Sequence, residues 1–383
     1  MKNTDNNFSD QRPATSDQRP ATSDQRPATR IRIGELFCGP GGIAIGAELA
    51  NKLTKELNVE LAHAWAVDYH SETTETYIKN IHGADSTSVI CGDVRNITAD
   101  QLEKISTIDG FAYGFPCNDF SLVGEHKGMD GTFGPLYTYG LPILQKFNPK
   151  FFIAENVGGI RSANEGKTLK KILKDLSEAG LGYTITPHLY KFEEYGVPQT
   201  RHRVIMVGIR KDLNLTFKPP APTHQNFKTS FEAITVPPIK NDAFNHELTH
   251  QHPRVVERLK HIKAGENAWT ANIPNELKLN VKGAKISQIY KRLDPQKPAY
   301  TITGSGGGGT HVYHWTEHRA LTNRERARLQ TFPDDFIFCG SKESVRRQIG
   351  MAVPPEGIAV IFESIVKTLL GLEYEHIEPN LGE

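Results

Sequence analysis

From Ile31 onward the chain alternates short apolar runs with helical stretches, and this alternation restricts the fold more than any other feature of the sequence. Ile31 to Phe37 and Leu61 to Val67 read as buried strands on either side of a helix over Ile43 to Leu57. Further strands are expected at Ser88 to Ile90, Gly110 to Gly114, Lys150 to Ala154 and Arg203 to Ile209, with a helix over Lys167 to Ala179 before the last. Such a pattern argues for a doubly wound α/β domain with a mainly parallel sheet, and ligands of that architecture sit at the C-terminal ends of the strands.

Two regions break the pattern. Ser9 to Thr29 are three copies of Ser-Asp-Gln-Arg-Pro-Ala-Thr, with one proline in each. Proline stops a helix and alanine is the only aliphatic residue there, so a disordered, dispensable tail over residues 1–29 is expected. From about Asp212 to Asn275 the periodicity fades, and between Lys240 and Lys297 there are 11 Lys plus Arg against 6 Asp plus Glu. A basic, less regular unit follows the sheet domain, although the whole chain carries a formal charge of only +1. Helical patterns return at Thr322 to Gln330 and near Gly357 to Leu370.

Composition excludes several classes. Hydrophobic residues are 38% and charged residues 23% of 383, as in a soluble globular protein. No apolar run approaches the ~20 residues of a membrane span, and the polar start lacks a secretory signal, so a cytoplasmic, reducing location is expected. Cys38, Cys91, Cys117 and Cys339 are scattered without a C-x-x-C pair, which argues against a zinc site or redox dithiol. His246-Glu247-Leu248-Thr249-His250 matches the H-E-x-x-H zinc-peptidase pattern, but Pro253 limits any helix there and no companion motif supports it. No metal is expected, and these histidines are better placed to face nucleic acid.

Four motifs carry chemistry. The first strand runs into Phe37-Cys38-Gly39-Pro40-Gly41-Gly42 and then a helix, a turn that lets a ligand approach backbone amides. With Asp68 and Asp93 after the next two strands, the layout suits an adenosine-containing cofactor, although the G-x-G-x-x-G spacing of dinucleotide sites is not met. Phe115-Pro116-Cys117-Asn118-Asp119-Phe120-Ser121 puts a cysteine at a strand tip, where it can react. Ala154-Glu155-Asn156-Val157 puts an acid at the adjoining tip, and in Gln199-Thr200-Arg201-His202-Arg203 two alternate arginines share a face.

In this order, and with Gln348-Ile349-Gly350-Met351-Ala352-Val353-Pro354-Pro355 and Arg319 to Phe336 downstream, the motifs resemble those of DNA cytosine-5 methyltransferases of the bacterial restriction-modification type. The resemblance covers about residues 30–210 and 290–370. It implies a Rossmann-like methyltransferase fold with a second, smaller target-recognition domain: a catalytic and cofactor-binding domain over 30–217, the recognition domain over 218–341, and a segment over 342–383 returning to the first. It further implies that Cys117 is the nucleophile, that Glu155 protonates cytosine N3, that Arg203 holds the O2 side and that Arg201 supports Glu155. S-adenosylmethionine would be bound by Phe37, Gly39, Gly41, Asp68, Tyr69, Asp93 and Val353, with Pro116, Asn118 and Ser121 against double-stranded DNA. Asn118 stands where the family usually has Gln, and Met351 where it usually has Asn. A monomer paired functionally with a restriction endonuclease is expected. A tRNA cytosine-5 methyltransferase of the same fold, a nicotinamide-dependent dehydrogenase and a noncatalytic DNA-binding relative are the alternatives.

Overall fold

Strand β1 (Thr29–Leu36) lies inside a seven-stranded sheet, with β2 (Val59–Asp68) and β3 (Val89–Cys91) parallel to it on one side and β4 (Gly110–Gly114) and β5 (Phe151–Val157) parallel on the other. Beyond β5, β8 (His202–Arg210) is antiparallel and pairs with the edge strand β6 (Tyr183–Lys191), giving the order β3-β2-β1-β4-β5-β8-β6. The chain winds outward from β1 to β3, then crosses back to β4. The crevice beyond the ends of β1 and β4 is therefore a topological switch point, where open α/β sheets bind ligands. This computed structural model describes residues 28–116, 134–280, 286–304 and 308–382. The repeats up to residue 27 lie outside the described residues, as do Cys117, Asn118 and Ser121.

Both faces of the sheet are covered, and the pleat shows it. Along β5, Phe151 and Ile153 join one apolar cluster while Phe152 and Ala154 join the other. Along β8, Ile205, Val207 and Ile209 belong to the first cluster and Val204 and Met206 to the second. Helices α1 (Gly42–Leu53) and α10 (Pro355–Leu369) close the first face; α4 (Gly140–Phe147) and α5 (Lys167–Ser177) close the second. In α10 the stripe Ile358, Ile361, Phe362, Ile365, Val366 is buried at helical spacing, each side chain contributing roughly 1.5–3 kcal/mol. Gly46 lets α1 approach it, since a Cβ there would stand 2.0 Å from Ile358 Cγ2. The stretch Lys342–Leu369 is long and apolar enough to cross a membrane by length and composition alone, but 78% of its apolar 18-residue window is buried inside the molecule.

Helix α2 (Ser71–Asn80) and strand β6 were not anticipated from the pattern. The buried side of α2 is made of Thr73, Thr74, Thr76 and Tyr77, which hides its amphipathicity. β6 carries Pro187 at its middle, tolerated because the strand is an edge.

The downstream region is less regular, with α6 (Ser230–Thr235), α7 (Pro253–Lys260), α8 (Asn323–Leu329) and α9 (Lys342–Met351). Two small cores sit within it, one around Ile234, Leu293 and Ile302 and one around Leu259, Ile273 and Tyr313. Ala327, Phe332, Phe336 and Phe338 pack elsewhere, with Cys38, Ala44, Ile45 and Tyr77 of the sheet domain. A short parallel pair, β7 (Gln199–Thr200) with β9 (Ala299–Tyr300), ties the two regions together.

Candidate active site

Parallel pairing of β4 with β5 sets Gly114 opposite Glu155, so the strand tip that leads into Phe115-Pro116 lies directly beside the acid. A Cβ on Gly114 would stand 3.1 Å from Glu155 Oε2. The next residue locks the junction: Asn156, 1% exposed, donates from Nδ2 to Phe115 O at 3.2 Å and accepts through Oδ1 from Val157 N at 2.8 Å. Asn156 thus fixes the segment immediately before Cys117. Sequence reading gave it no role, although it stands inside the Glu155-Asn156-Val157 motif.

Antiparallel β8 brings the cation. Val157 pairs with Arg203 and Glu155 with Ile205, which makes Glu155 and Arg203 diagonal neighbours on one face. Arg203 Nε donates to Glu155 Oε1 at 3.0 Å, with side chains only 12% and 13% exposed. Burial pushes the Glu155 carboxyl above the ordinary range, while the charges of Arg203 and then Arg201 pull it back. The result is an acid that holds its proton more readily than a surface Glu, against a fixed guanidinium.

Arg201 acts at a different place. It is 2% exposed, and its terminal nitrogens donate to Ile302 O at 3.0 Å, Gly350 O at 3.1 Å and Ala352 O at 2.9 Å. Gln199 continues this knot, donating to Leu329 O and Gln330 Oε1 and accepting from Ile302 N. The support Arg201 gives Glu155 is therefore charge rather than a hydrogen bond among the described residues, because its fork is occupied in joining the C-terminal segment to the residues just after β9.

At the end of β1 the chain turns sharply: Phe37, Gly39 and Gly41 all have positive φ, at 54°, 55° and 99°. Among the described residues nothing lies within 4 Å of where a Cβ on Gly39 would sit. Gly42 is the reverse case, its absent Cβ replaced by Val353 O at 2.3 Å, and Val353 itself is buried. Asp68 fixes the loop by accepting from Gly39 N at 2.9 Å and His70 N at 3.1 Å. Burial raises its carboxyl, with those two amides opposing. The Tyr69 ring is 66% exposed, edge-on to His70, and is therefore not core packing. Asp93 is engaged by Arg95, which donates to it from its backbone and guanidinium at 2.5–2.9 Å. An open glycine turn, an uncapped helix start at Gly42, an accessible aromatic face and an acid at the second strand tip fit a cofactor with an aromatic base and hydroxylated sugar.

The cysteines among the described residues stand in different surroundings. Cys38 is buried, and desolvation pushes its thiol well up, with Asp68 and Glu35 adding to the effect. Cys91 is exposed and Cys339 half-buried. His246 turns inward to Thr322 Oγ1 at 2.9 Å rather than outward, and its segment is not helical. Among the described residues no group of three or more His, Cys, Asp or Glu is placed to hold a metal.

A seven-stranded sheet of this order, with an acid and a guanidinium at the tips beside a cofactor-type glycine turn, defines a methyltransferase-type α/β enzyme. The model of the C-5 cytosine-specific DNA methylases matches residues 31–367, and the chain belongs to that family. It is 58% identical over 353 residues to the type II methyltransferase M.BbvI of Brevibacillus brevis, covering 91% of this chain and 94% of that one. It is 38% identical to the type II methyltransferase M.NgoFVII of Neisseria gonorrhoeae, covering 91% and 89%. A structure from an E. coli prophage assigned as a DNA modification methyltransferase superposes with TM-score 0.68 at 23% identity, covering 89% and 99%. Dnmt2 of Spodoptera frugiperda gives TM-score 0.58 at 16% identity, covering 89% of this chain and 99% of that one. Family membership sets aside the dehydrogenase alternative.

Proposed function

We propose that the chain methylates C5 of a cytosine rotated out of a specific double-stranded DNA site, using S-adenosylmethionine as the donor. The observation that carries this reading is the Glu155–Arg203 pair at the strand tip beside Phe115-Pro116, one residue before Cys117. C5 of cytosine is too weak a nucleophile by itself. The Cys117 thiolate adds to C6, forming an S–C6 bond, and the displaced electron pair moves toward C5 and N3. Glu155, poised by burial to keep its proton, gives or shares it at N3 so that no full anion develops. Arg203 holds Glu155 in place and faces the O2 side. S-adenosylmethionine, when bound, supplies a methyl group on an electrophilic sulfonium. Once C5 carries the methyl group, a base removes the C5 proton, the S–C6 bond breaks to return the thiolate, and the N3 proton goes back to Glu155. A stacked base cannot be reached from both faces, so it must leave the helix.

Gly39, Gly41, Asp68, Tyr69 and the backbone around Val353 would hold the donor, Tyr69 against its adenine and Asp68 on its ribose. Asp93 would contribute only if its carboxylate serves Arg95 and ligand together. The basic segment from Lys240 to Lys297 would supply phosphate contacts, and base reading would come from the region over 218–341. The chain's likeness to type II methyltransferases supports a role in protecting DNA from a partner endonuclease, and the chain would act as a cytoplasmic monomer. Bisulfite sequencing of DNA from cells expressing the chain is the test: a protected cytosine in one recurring sequence supports the reading. Unmodified DNA, with methylated tRNA cytosine in the same cells, overturns it.

A further inference from the structure

Helix α8 carries three buried arginines, and two of them are fully engaged. Arg324 donates to Phe244 O, Pro333 O and Phe336 O, and Arg328 pairs with Asp334 at 2.6 Å. Among the described residues Arg326, 3% exposed, makes one long side-chain hydrogen bond, Nε to Leu321 O at 3.4 Å, and forms no ion pair. Burial pulls its guanidinium down to about 10, so it remains charged at neutral pH. A buried guanidinium without an ion-pair partner is destabilising until an anion meets it.

Its neighbours share the deficit. Arg326 lines a cavity of about 300 Å³ together with Arg346 of α9 and His311. Arg346 Nε and His311 Nδ1 are both buried without a hydrogen-bond partner among the described residues. Lys342 and His250 stand at the exposed rim; so do Glu247 and Glu343, but neither acid pairs with an arginine of the pocket among the described residues. Two guanidiniums and an imidazole therefore face one cavity with donors to spare. We infer that this pocket, formed by α8, α9 and the segment around His311, binds a phosphate group. Carboxylates are already present at its rim and leave the arginines unpaired, whereas a tetrahedral anion offers enough oxygens to engage both forks at once.

The phosphate has two sources, a DNA backbone phosphodiester outside the target nucleotide or a free phosphate. The first rests on the DNA-binding reading above; the second does not. Arg346→Ala, and Arg346→Gln in case the alanine variant folds poorly, are compared with wild-type chain in two measurements. One is the slope of log Kd against log salt for a DNA duplex. The other is the melting temperature in inorganic phosphate against chloride at equal ionic strength. A salt slope smaller by about 0.9, with severalfold weaker DNA binding, assigns the pocket to a DNA phosphate. An unchanged slope with loss of a phosphate-specific rise in melting temperature assigns it to free phosphate. If neither quantity differs between wild type and both variants, the pocket is no phosphate site. Wild-type chain that binds no DNA would sink the proposed function, and the phosphate melts alone would then decide.

Discussion

Glu155 on β5 and Arg203 on β8 are diagonal neighbours across an antiparallel pair, joined by a 3.0 Å bond from Nε to Oε1. The strand register places them, so neither side chain has to search for the other. An acid with a raised proton affinity is held against a fixed positive charge at the strand tip that leads toward Cys117.

Replacing Glu155 by Gln retains a hydrogen-bonding group but removes the transferable proton. Single-turnover methyl transfer should slow by about 10²–10⁴-fold while the Kd for DNA changes much less. Because burial raises the Glu155 carboxyl, the protonated form persists to higher pH, and the loss of kcat on the alkaline side should follow its ionisation. A variant with undiminished turnover would place the acid elsewhere.

Arg201 should matter for assembly more than for chemistry. Arg201→Ala leaves the carbonyls of Ile302, Gly350 and Ala352 short of a donor, at roughly 1–3 kcal/mol for each one left buried and unpaired. A clear drop in melting temperature is expected, with partial recovery in Arg201→Lys. Unchanged melting with lost activity would assign Arg201 to the reacting base instead.

Gly39→Ala separates strain from occupancy. The backbone cost of a side chain at φ 55° is about 1–2 kcal/mol, and among the described residues no neighbour within 4 Å obstructs the new methyl. Calorimetric titration should show at least a tenfold loss of S-adenosylmethionine affinity with a modest fall in melting temperature. Unaltered affinity would move the cofactor away from the β1 turn.

Glu35 makes stability depend on pH. It is buried on β1, accepts from Tyr77 Oη at 2.7 Å, and desolvation raises its carboxyl from 4.5 to about 8. Between those values the unfolded chain has lost this proton and the folded chain keeps it. Its contribution to stability therefore falls as pH rises, by at most ~1.4 kcal/mol per unit. His63, lowered to about 4 by burial, works in the opposite sense below its ordinary 6.5. Denaturant melts across pH should show a flatter alkaline decline in Glu35→Gln than in wild type; parallel profiles would mean that Glu35 is ionised in the folded state.

Much of the fold could be read from the sequence because β1, β2, β4, β5 and β8 are apolar on both faces and lie between helix-length segments. β6 could not be, since Thr184, Thr186, Pro187 and His188 look like a loop until its edge position is known. The site was legible in its residue types and less so in its contacts. A spacing of two put Arg201 and Arg203 on one face, yet Arg201 precedes β8 and its side chain is spent on three distant carbonyls. Asn156 and Gln199 hold the strand tips through hydrogen bonds to residues 41 and more positions away, which no local pattern reveals. Likewise, nothing in α8 distinguishes Arg326 from Arg324 and Arg328 until their partners are seen.

The central claim is nucleophilic attack by Cys117, and DNA containing 5-fluorocytosine at the target tests it most directly. Thiolate addition at C6 and methylation at C5 can both proceed, but the final step needs C5 to lose a proton and fluorine cannot leave as a cation. Mass spectrometry of the denatured complex formed with S-adenosylmethionine should show wild-type chain carrying the mass of the methylated DNA strand, attached at Cys117. Cys117→Ser should carry none, since a serine hydroxyl supplies too little anion near neutral pH. Wild-type chain without added mass, or an adduct at Cys38, Cys91 or Cys339, would contradict the assignment.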